Sequence, residues 1–235
     1  MITKSDYIDF LESLPSDSID LLLTDPFYEI DYQGFKGRDF KGSVDWEIFF
    51  TQSKRILKPT GNLVVFNSWS NLFNLHSRWK SSCASDLTLR NMIVWDRVKT
   101  KNGGKKNFTS AREEILWFTL SDDYTFNKED STILKKTKGF GSKNNTPYRR
   151  LSNVWTDISP IMFTSKEYTG YPTQKPVALF RRLVRIFSNE GERVVDCFCG
   201  SGTTVDACIK ENREYKVCDN SEEAIEQTKK RILIR

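Results

Sequence analysis

An α/β fold, an open and mainly parallel sheet with helices on both faces, is predicted by three features of this 235-residue chain. Short apolar runs alternate with stretches of helical period, the pattern of parallel strands joined by crossover helices. Two of those runs stop at an acidic residue: Ile19-Asp20-Leu21-Leu22-Leu23-Thr24 leads into Asp25, and Arg193-Val194-Val195 leads into Asp196. The second acid opens a string of mostly small residues, Cys197-Phe198-Cys199-Gly200-Ser201-Gly202-Thr203-Thr204, before a helix-like segment. A buried strand turns into a helix in this way at a ligand-binding edge, where glycines allow a tight turn and the helix start offers free N–H groups.

Taken in order, residues 5–14 place Tyr7, Phe10, Leu11 and Leu14 at helical spacing, with Ser5 or Asp6 as cap and Pro15 as stop. Residues 19–24 read as a buried strand that delivers Asp25 at its C-terminal edge. Residues 29–44, rich in Gly, Lys, Asp and aromatics without a period, read as a mobile loop. A helix over 45–57 ends at Lys58-Pro59-Thr60-Gly61, and Leu63-Val64-Val65-Phe66 is the next strand. A helix over 71–80 and strands near 91–96 and 113–120 follow. Residues 121–170 are the least regular. Tyr171-Pro172-Thr173-Gln174-Lys175-Pro176 enters a helix over 177–187, Pro176 suiting its first turn. After the strand and glycine turn at 193–204 come a helix over 205–210, a strand over 214–218 ending at Asp219, and an amphipathic helix over 221–233. A nucleotide-binding sheet normally begins with its glycine turn, but here that turn arrives after residue 196. The last two strand–helix units must therefore pair back against the N-terminal strands, giving a circularly permuted Rossmann-like sheet. The chain reads as a single domain, 1–235, in which halves 1–120 and 171–235 flank an irregular insert at 121–170.

Composition narrows the function classes. A hydrophobic content of 38% fits a soluble globular protein, and no apolar run approaches the roughly 20 residues that span a bilayer. The first residues lack the charged-then-apolar pattern of a signal peptide, and five cysteines, an odd number, suit reduced thiols in a cytoplasm. The net charge of +5 is unevenly placed: residues 97–150 carry 13 Lys+Arg against 6 Asp+Glu, leaving the remainder slightly acidic. A basic segment within a near-neutral scaffold suits a polyanion, although a solvated loop is the plainer reading.

The motifs sharpen this. Asp25-Pro26-Phe27-Tyr28 resembles the Asp-Pro-Pro-Tyr motif of amino-group DNA methyltransferases, and Asp196 to Thr204 resembles their cofactor motif. Thr173-Gln174-Lys175-Pro176 is similar to a third. The order, with the catalytic motif first, target recognition next and the cofactor motif last, is that of the β group of the family. The resemblance extends to Glu113-Glu114-Ile115-Leu116-Trp117-Phe118 and Asn153-Val154-Trp155 and leaves out 121–152. It implies an S-adenosylmethionine-dependent enzyme, with 1–120 as catalytic half, 121–170 as target-recognition insert and 171–235 as cofactor-binding half.

On that resemblance, Asp25 and the Pro26 carbonyl hold an exocyclic base amine so that its lone pair faces the methyl group, and Tyr28 stacks on a flipped-out base. Asp196 and the turn Phe198, Gly200, Ser201, Gly202, Thr203 and Thr204 embrace the amino-acid and ribose part of the cofactor. Asp219 accepts the ribose hydroxyls, as an acid about 20 positions on does in dinucleotide folds. Thr173, Gln174 and Lys175 close over the methionine end. Lys135, Lys136, Lys138, Arg149 and Arg150 are the candidates for phosphate contacts on double-stranded DNA, with loop 29–44 closing over it. Aspartate at the head of the motif favours adenine N6 over cytosine N4, the alternative in the same family. Restriction–modification systems imply a cognate endonuclease as partner, and chains of this size in the family often form homodimers.

Three positions depart from the pattern: Phe27 for proline, Cys197 for proline, and Asp219 for glutamate. Phe27 motivates a second reading, a catalytically weak DNA-binding partner subunit. A dehydrogenase would want a third glycine at Val205, a P-loop would want Lys after Gly202, and transfer to cytosine carbon 5 would want a cysteine after a proline, which is absent. Protein or RNA amino-methyltransferases usually place the cofactor motif first. Cys197, Cys199, Cys208 and Cys218 follow strand and helix periods rather than paired zinc-ligand loops, so no metal is expected. His76 and the tryptophans, Trp69 and Trp155 among them, read as structural.

Overall fold

The computed structural model describes residues 1–26, 32–35, 38–40, 44–97, 106, 108, 111–134 and 148–233, with backbone alone at 32–35, 38–40 and 134. Its elements are β1 (Ile2–Lys4), α1 (Tyr7–Glu12), β2 (Ile19–Thr24), β3 (Tyr32–Phe35), β4 (Arg38–Phe40), α2 (Trp46–Ile56), β5 (Leu57–Asn67), α3 (Leu72–Ser81), β6 (Thr88–Asp96), β7 (Arg112–Thr119), β8 (Thr132–Leu134), β9 (Tyr148–Arg150), β10 (Val154–Trp155), α4 (Val177–Phe187), β11 (Arg193–Asp196), α5 (Thr203–Lys210), β12 (Glu214–Asp219) and α6 (Glu222–Leu233). Among the described residues, eight strands form one sheet in the order β1-β12-β11-β2-β5-β7-β6-β10, and β3–β4 and β8–β9 are separate hairpins. Neighbours in the large sheet are parallel except where β7 runs antiparallel to β5 and β6.

The winding explains where a site can form. From β11 the chain crosses through α5 to β12 on one side, and from β2 it crosses through α2 to β5 on the other. Direction therefore reverses between β11 and β2, which pair directly through Val194↔Leu21 and Val195↔Leu22. Ligands of open α/β sheets bind outside the C-terminal ends of the strands at such a switch point. The acids that end both strands, Asp25 and Asp196, stand there. This is the permuted arrangement expected from the late glycine turn.

Strand β2 is buried along its whole length because both faces are covered. Leu22 packs with Phe10, Phe49, Phe50 and Leu63 in a core against α1, α2 and α3. Leu21 and Leu23 pack with Phe66, Leu179, Phe180 and Leu183 against α4. Burial of each leucine is worth about 1.5–3 kcal/mol, and the alternation sets the register.

Several expectations are corrected. β1 and β10 lie at the two edges of the sheet, and neither three nor two residues carry a readable period. β10 draws part of the 121–170 insert into the main sheet. The helix stop read at 58–61 is a bulge inside β5: pairing jumps from Ile19↔Leu57 to Leu21↔Asn62. Lys58 Nζ pins the bulge to Asp20 Oδ1 at 2.6 Å. Within 29–44 the described residues 32–35 and 38–40 form the β3–β4 hairpin, and 29–31, 36–37 and 41–43 lie outside the described residues. Trp155 is core as expected, but Trp69 is 55% exposed, because it follows β5 beyond the end of the sheet.

Candidate active site

Strand β2 delivers two side chains to opposite faces. Thr24, fully buried, donates from Oγ1 to Asp196 Oδ1 at 2.7 Å. Asp25 faces the α4 side, where its carboxylate is hydrogen-bonded and ion-paired with Lys175. Lys175 also lies 3.2 Å from Glu113 on β7, and Glu113 lies 3.1 Å from Arg97. Burial works against the charge on Lys175, but Asp25 and Glu113 outweigh it and leave the ammonium pKa raised. Pro26 is buried. Phe27 and Tyr28 lie outside the described residues.

The turn after β11 is held by its own polar groups together with Thr24 of β2 and Asp219 of β12. Asp196 Oδ1 accepts from Phe198 N–H at 3.0 Å as well as from Thr24, and Oδ2 accepts from the Thr204 hydroxyl. Asp219 Oδ2 accepts from Gly200 N–H at 2.9 Å, and Oδ1 accepts from Ser221 N–H at 3.0 Å. Burial pushes the Asp196 pKa up to about 6 against the opposing bonds from Thr204, Thr24 and Phe198. Burial also raises Asp219, against the opposing bonds from the Ser221 and Gly200 N–H groups. Gly200 and Gly202 have φ of +48° and +76°. A Cβ on Gly200 would meet the Tyr171 ring at 3.2 Å, and one on Gly202 would meet Thr228 at 2.9 Å. The glycines thus serve both handedness and close approach.

One cavity is lined by Asp25, Thr173, Lys175, Asp196, Phe198, Gly200, Ser201, Thr203, Thr204 and Asp219. It brings together parts of all three motifs, from Asp25 to Thr204, which stand 179 residues apart in the chain. Cys199, within the cofactor motif, lines it too, as do Tyr171 and Phe180, which were not picked out from the sequence as site residues. For Tyr171 a signal was present, since it opens the stretch that contains Thr173 and Lys175.

Two predicted site residues are turned elsewhere. Gln174 accepts from Thr169 N–H and Oγ1, each at 2.8 Å, and donates to Glu167 O at 2.6 Å, so its amide braces the 167–169 loop instead of closing the cavity. That loop in turn caps α4, Glu167 Oε2 accepting from Val177 N–H at 3.3 Å. Gly202 packs beneath the turn on α6. Of the predicted phosphate contacts, Lys135, Lys136 and Lys138 lie outside the described residues. Arg149 and Arg150 are exposed on β9. Arg150 lines a second, apolar cavity with Trp117, Ile186 and Phe187, at the opposite end of α4 from Lys175.

Comparison with known proteins gives this geometry a family. The N6/N4 methyltransferase model, described as DNA methylase, matches residues 19–230. The chain is 28% identical to the DNA adenine methyltransferase YhdJ of Escherichia coli (strain K12), over 98% of this chain and 82% of that protein. It is 30% identical to the type II methyltransferase M.HpaI of Haemophilus parainfluenzae, over 97% of this chain and 72% of that protein. Among solved structures, the fold matches the PvuII DNA methyltransferase (cytosine-N4-specific) with a TM-score of 0.75 at 18% identity, covering 97% and 84% of the two chains. It matches the M1.HpyAVI–SAM complex with a TM-score of 0.65 at 20% identity, covering 98% of each. With its permuted sheet, its switch-point acids and a family match over nearly its whole length, this chain belongs to the N6/N4 DNA methylase family.

Proposed function

We propose that this protein transfers a methyl group from S-adenosylmethionine to the exocyclic N6 of an adenine flipped out of double-stranded DNA. The observation that carries the proposal is the placement of Asp25 in the wall of the cavity formed by the 196–204 turn. The residues there fit the cofactor by their chemistry. Asp219 keeps acceptor capacity for ribose hydroxyls beyond its two backbone bonds, Phe198 and Tyr171 supply apolar walls, and Ser201, Thr173 and Thr203 supply hydroxyls. When bound, S-adenosylmethionine supplies a methyl group activated on a sulfonium. Asp196 accepts three protein hydrogen bonds, so most of its acceptor capacity goes to shaping the turn.

An exocyclic amine is a weak nucleophile because its lone pair is delocalised into the ring. Asp25 accepts one of its N–H bonds and the Pro26 carbonyl the other, favouring a tetrahedral nitrogen. A hydrogen bond to a charged acceptor is worth about 1.5–3 kcal/mol. Alignment of the amine with the methyl group supplies more, up to about 7–11 kcal/mol. The choice of adenine is supported by the names of curated relatives and by aspartate at the head of the motif. Arg149 and Arg150 are assigned to flanking phosphates, given their distance along α4 from Lys175. A homodimer and a cognate endonuclease complete the proposal, the former checked by light scattering.

The test is incubation with duplex DNA and labelled S-adenosylmethionine, followed by sequencing that reads modified bases. N6-methyladenine at a defined site is expected. Asp25→Ala should abolish incorporation while calorimetry still shows cofactor binding. Label found on cytosine N4 would overturn the choice of base. DNA binding without incorporation would favour an inactive partner subunit.

A further inference from the structure

We infer that Lys175 is a positioning residue for the carboxylate of Asp25, braced from behind by Glu113, and that this role, more than contact with the cofactor, explains a lysine at this place. The inference rests on the methyl-transfer reading for what Asp25 does, but the pairing itself is a property of the cofactor-free protein.

Asp25 and Glu113 project from the same face of β2 and β7, which are separated by a single strand, β5. Their side chains are only 16% and 13% exposed, and that of Lys175 is 11% exposed. Two carboxylates brought this close with little water repel one another, and a single ammonium between them removes the conflict. Arg97, just after β6, then neutralises the far side of Glu113. The result is a row of alternating charge, Asp25, Lys175, Glu113, Arg97, crossing the catalytic rim from the switch point toward the basic segment.

Lys175 is poorly placed to wander. Its backbone carbonyl accepts from Thr203 Oγ1 at 3.2 Å, which ties it to the first residue of α5. The next residue caps α4. Its ammonium lies 5.5 Å from the centre of the Phe66 ring, and that ring stacks on Phe180 with centroids 5.2 Å apart. A cation fixed at both its stem and its head fixes the carboxylate it holds. A displacement of about 1 Å in a reacting group can cost on the order of 100-fold in rate, so this restraint acts on turnover.

The experiment compares wild type with Lys175→Met, Lys175→Arg, Asp25→Asn and the double variant Asp25→Asn/Lys175→Met. Three readouts are taken: the thermal midpoint of the cofactor-free protein, the calorimetric Kd for S-adenosylmethionine, and single-turnover methyl transfer at saturating cofactor. Lys175→Met should lower the midpoint, and adding Asp25→Asn should restore part of it, because the repulsion between the Asp25 and Glu113 carboxylates is gone. The Kd should change by less than about threefold while transfer falls about 100-fold, and Lys175→Arg should regain about tenfold of it. Additive midpoints, or a Kd weakened more than about tenfold with normal transfer at saturation, would assign Lys175 to the cofactor and overturn the inference. If wild type transfers no methyl group, the methyl-transfer reading fails, and the midpoints alone still decide whether Lys175 and Asp25 act as a pair.

Discussion

Thr24 and Asp196 stand 172 residues apart in the chain, yet the hydroxyl of one donates to the carboxylate of the other at 2.7 Å with both side chains buried. This bond ties the ends of the two strands that meet at the switch point. Replacing Thr24 by valine keeps the shape but removes the donor and leaves Asp196 Oδ1 with Phe198 N–H alone. The cost should be about 1–3 kcal/mol, read as a lower urea midpoint, with weaker cofactor binding because the turn loosens. Thr24→Ser, which keeps the hydroxyl, should stay close to wild type.

That bond also marks the limit of what the linear chain discloses. Strands β2 and β11 were legible because each combines an apolar run with a terminal acid, and burial on both faces forces that composition. The late position of Gly200 and Gly202 disclosed the permutation, since their φ values of +48° and +76° are needs that glycine answers locally. β1 and β10 were not legible, because two or three residues become a strand only when β12 or β6 offers an edge. The partners of Lys175 and Gln174 were hidden for a related reason. Both belong to one motif, but Lys175 meets Asp25 across 150 residues while Gln174 turns to Thr169 close by. A motif places residues at a site without saying which side chain faces it.

The raised pKa of Asp196 has a signed consequence. With its value up at about 6 instead of the usual 3.8, the native state holds more protons than the unfolded chain between those values. The contribution of this group to stability is fully present below the ordinary carboxylate range and is lost as pH rises through about 6. Its size is roughly 3 kcal/mol. In Asp196→Asn the amide oxygen still accepts from Thr24 and Phe198, and the amide N–H can donate to the Thr204 oxygen. Denaturation of both proteins at pH 4.5 and 7.5 (about 1.5 on either side of 6) should show the variant gaining on wild type at the higher pH. An unchanged difference between the two pH values would refute the assignment.

Gly202→Ala combines two penalties. Its φ of +76° disfavours any L side chain, and the new Cβ would lie 2.9 Å from Thr228 Oγ1 and 3.0 Å from Thr228 Cα. Backbone contact cannot be relieved by a rotamer change. A loss of about 1–3 kcal/mol is expected from the backbone term, with further loss from the steric clash. Adding Thr228→Ala should recover only the side-chain part, as measured by chemical denaturation of the single and double variants.

Thiol chemistry offers a check on the core. Cys197, Cys199, Cys208 and Cys218 are buried, and burial raises each thiol pKa, whereas Cys83 is exposed. Thiolate is the reactive form. A native protein treated with a thiol reagent at neutral pH should therefore modify quickly at Cys83, and the four buried thiols should react only after unfolding. Mass spectrometry of the labelled protein reads this directly. Fast labelling of Cys197 or Cys199 would mean that the turn opens far more readily than its hydrogen bonds suggest.

Arg149 and Arg150 test the division between positioning and chemistry. Both are exposed on β9, and Arg150 stands beside Ile186 and Phe187 at the end of α4 remote from Lys175. An 11-residue helix is about 16 Å long, so these guanidinium groups cannot reach a base held by Asp25 but can reach phosphates farther along a duplex. Phosphate contacts act through counterion release and carry no sequence information. The double variant Arg149→Ala/Arg150→Ala should weaken binding to cognate and unrelated duplexes by similar factors. It should also flatten the slope of log affinity against log salt by about one for each phosphate no longer neutralised. Single-turnover methyl transfer at saturating DNA should be unchanged, because nothing in the cavity around Asp25 has moved. A loss confined to the cognate sequence, or a fall in that rate, would place these arginines in recognition or catalysis and refute their assignment to flanking phosphates.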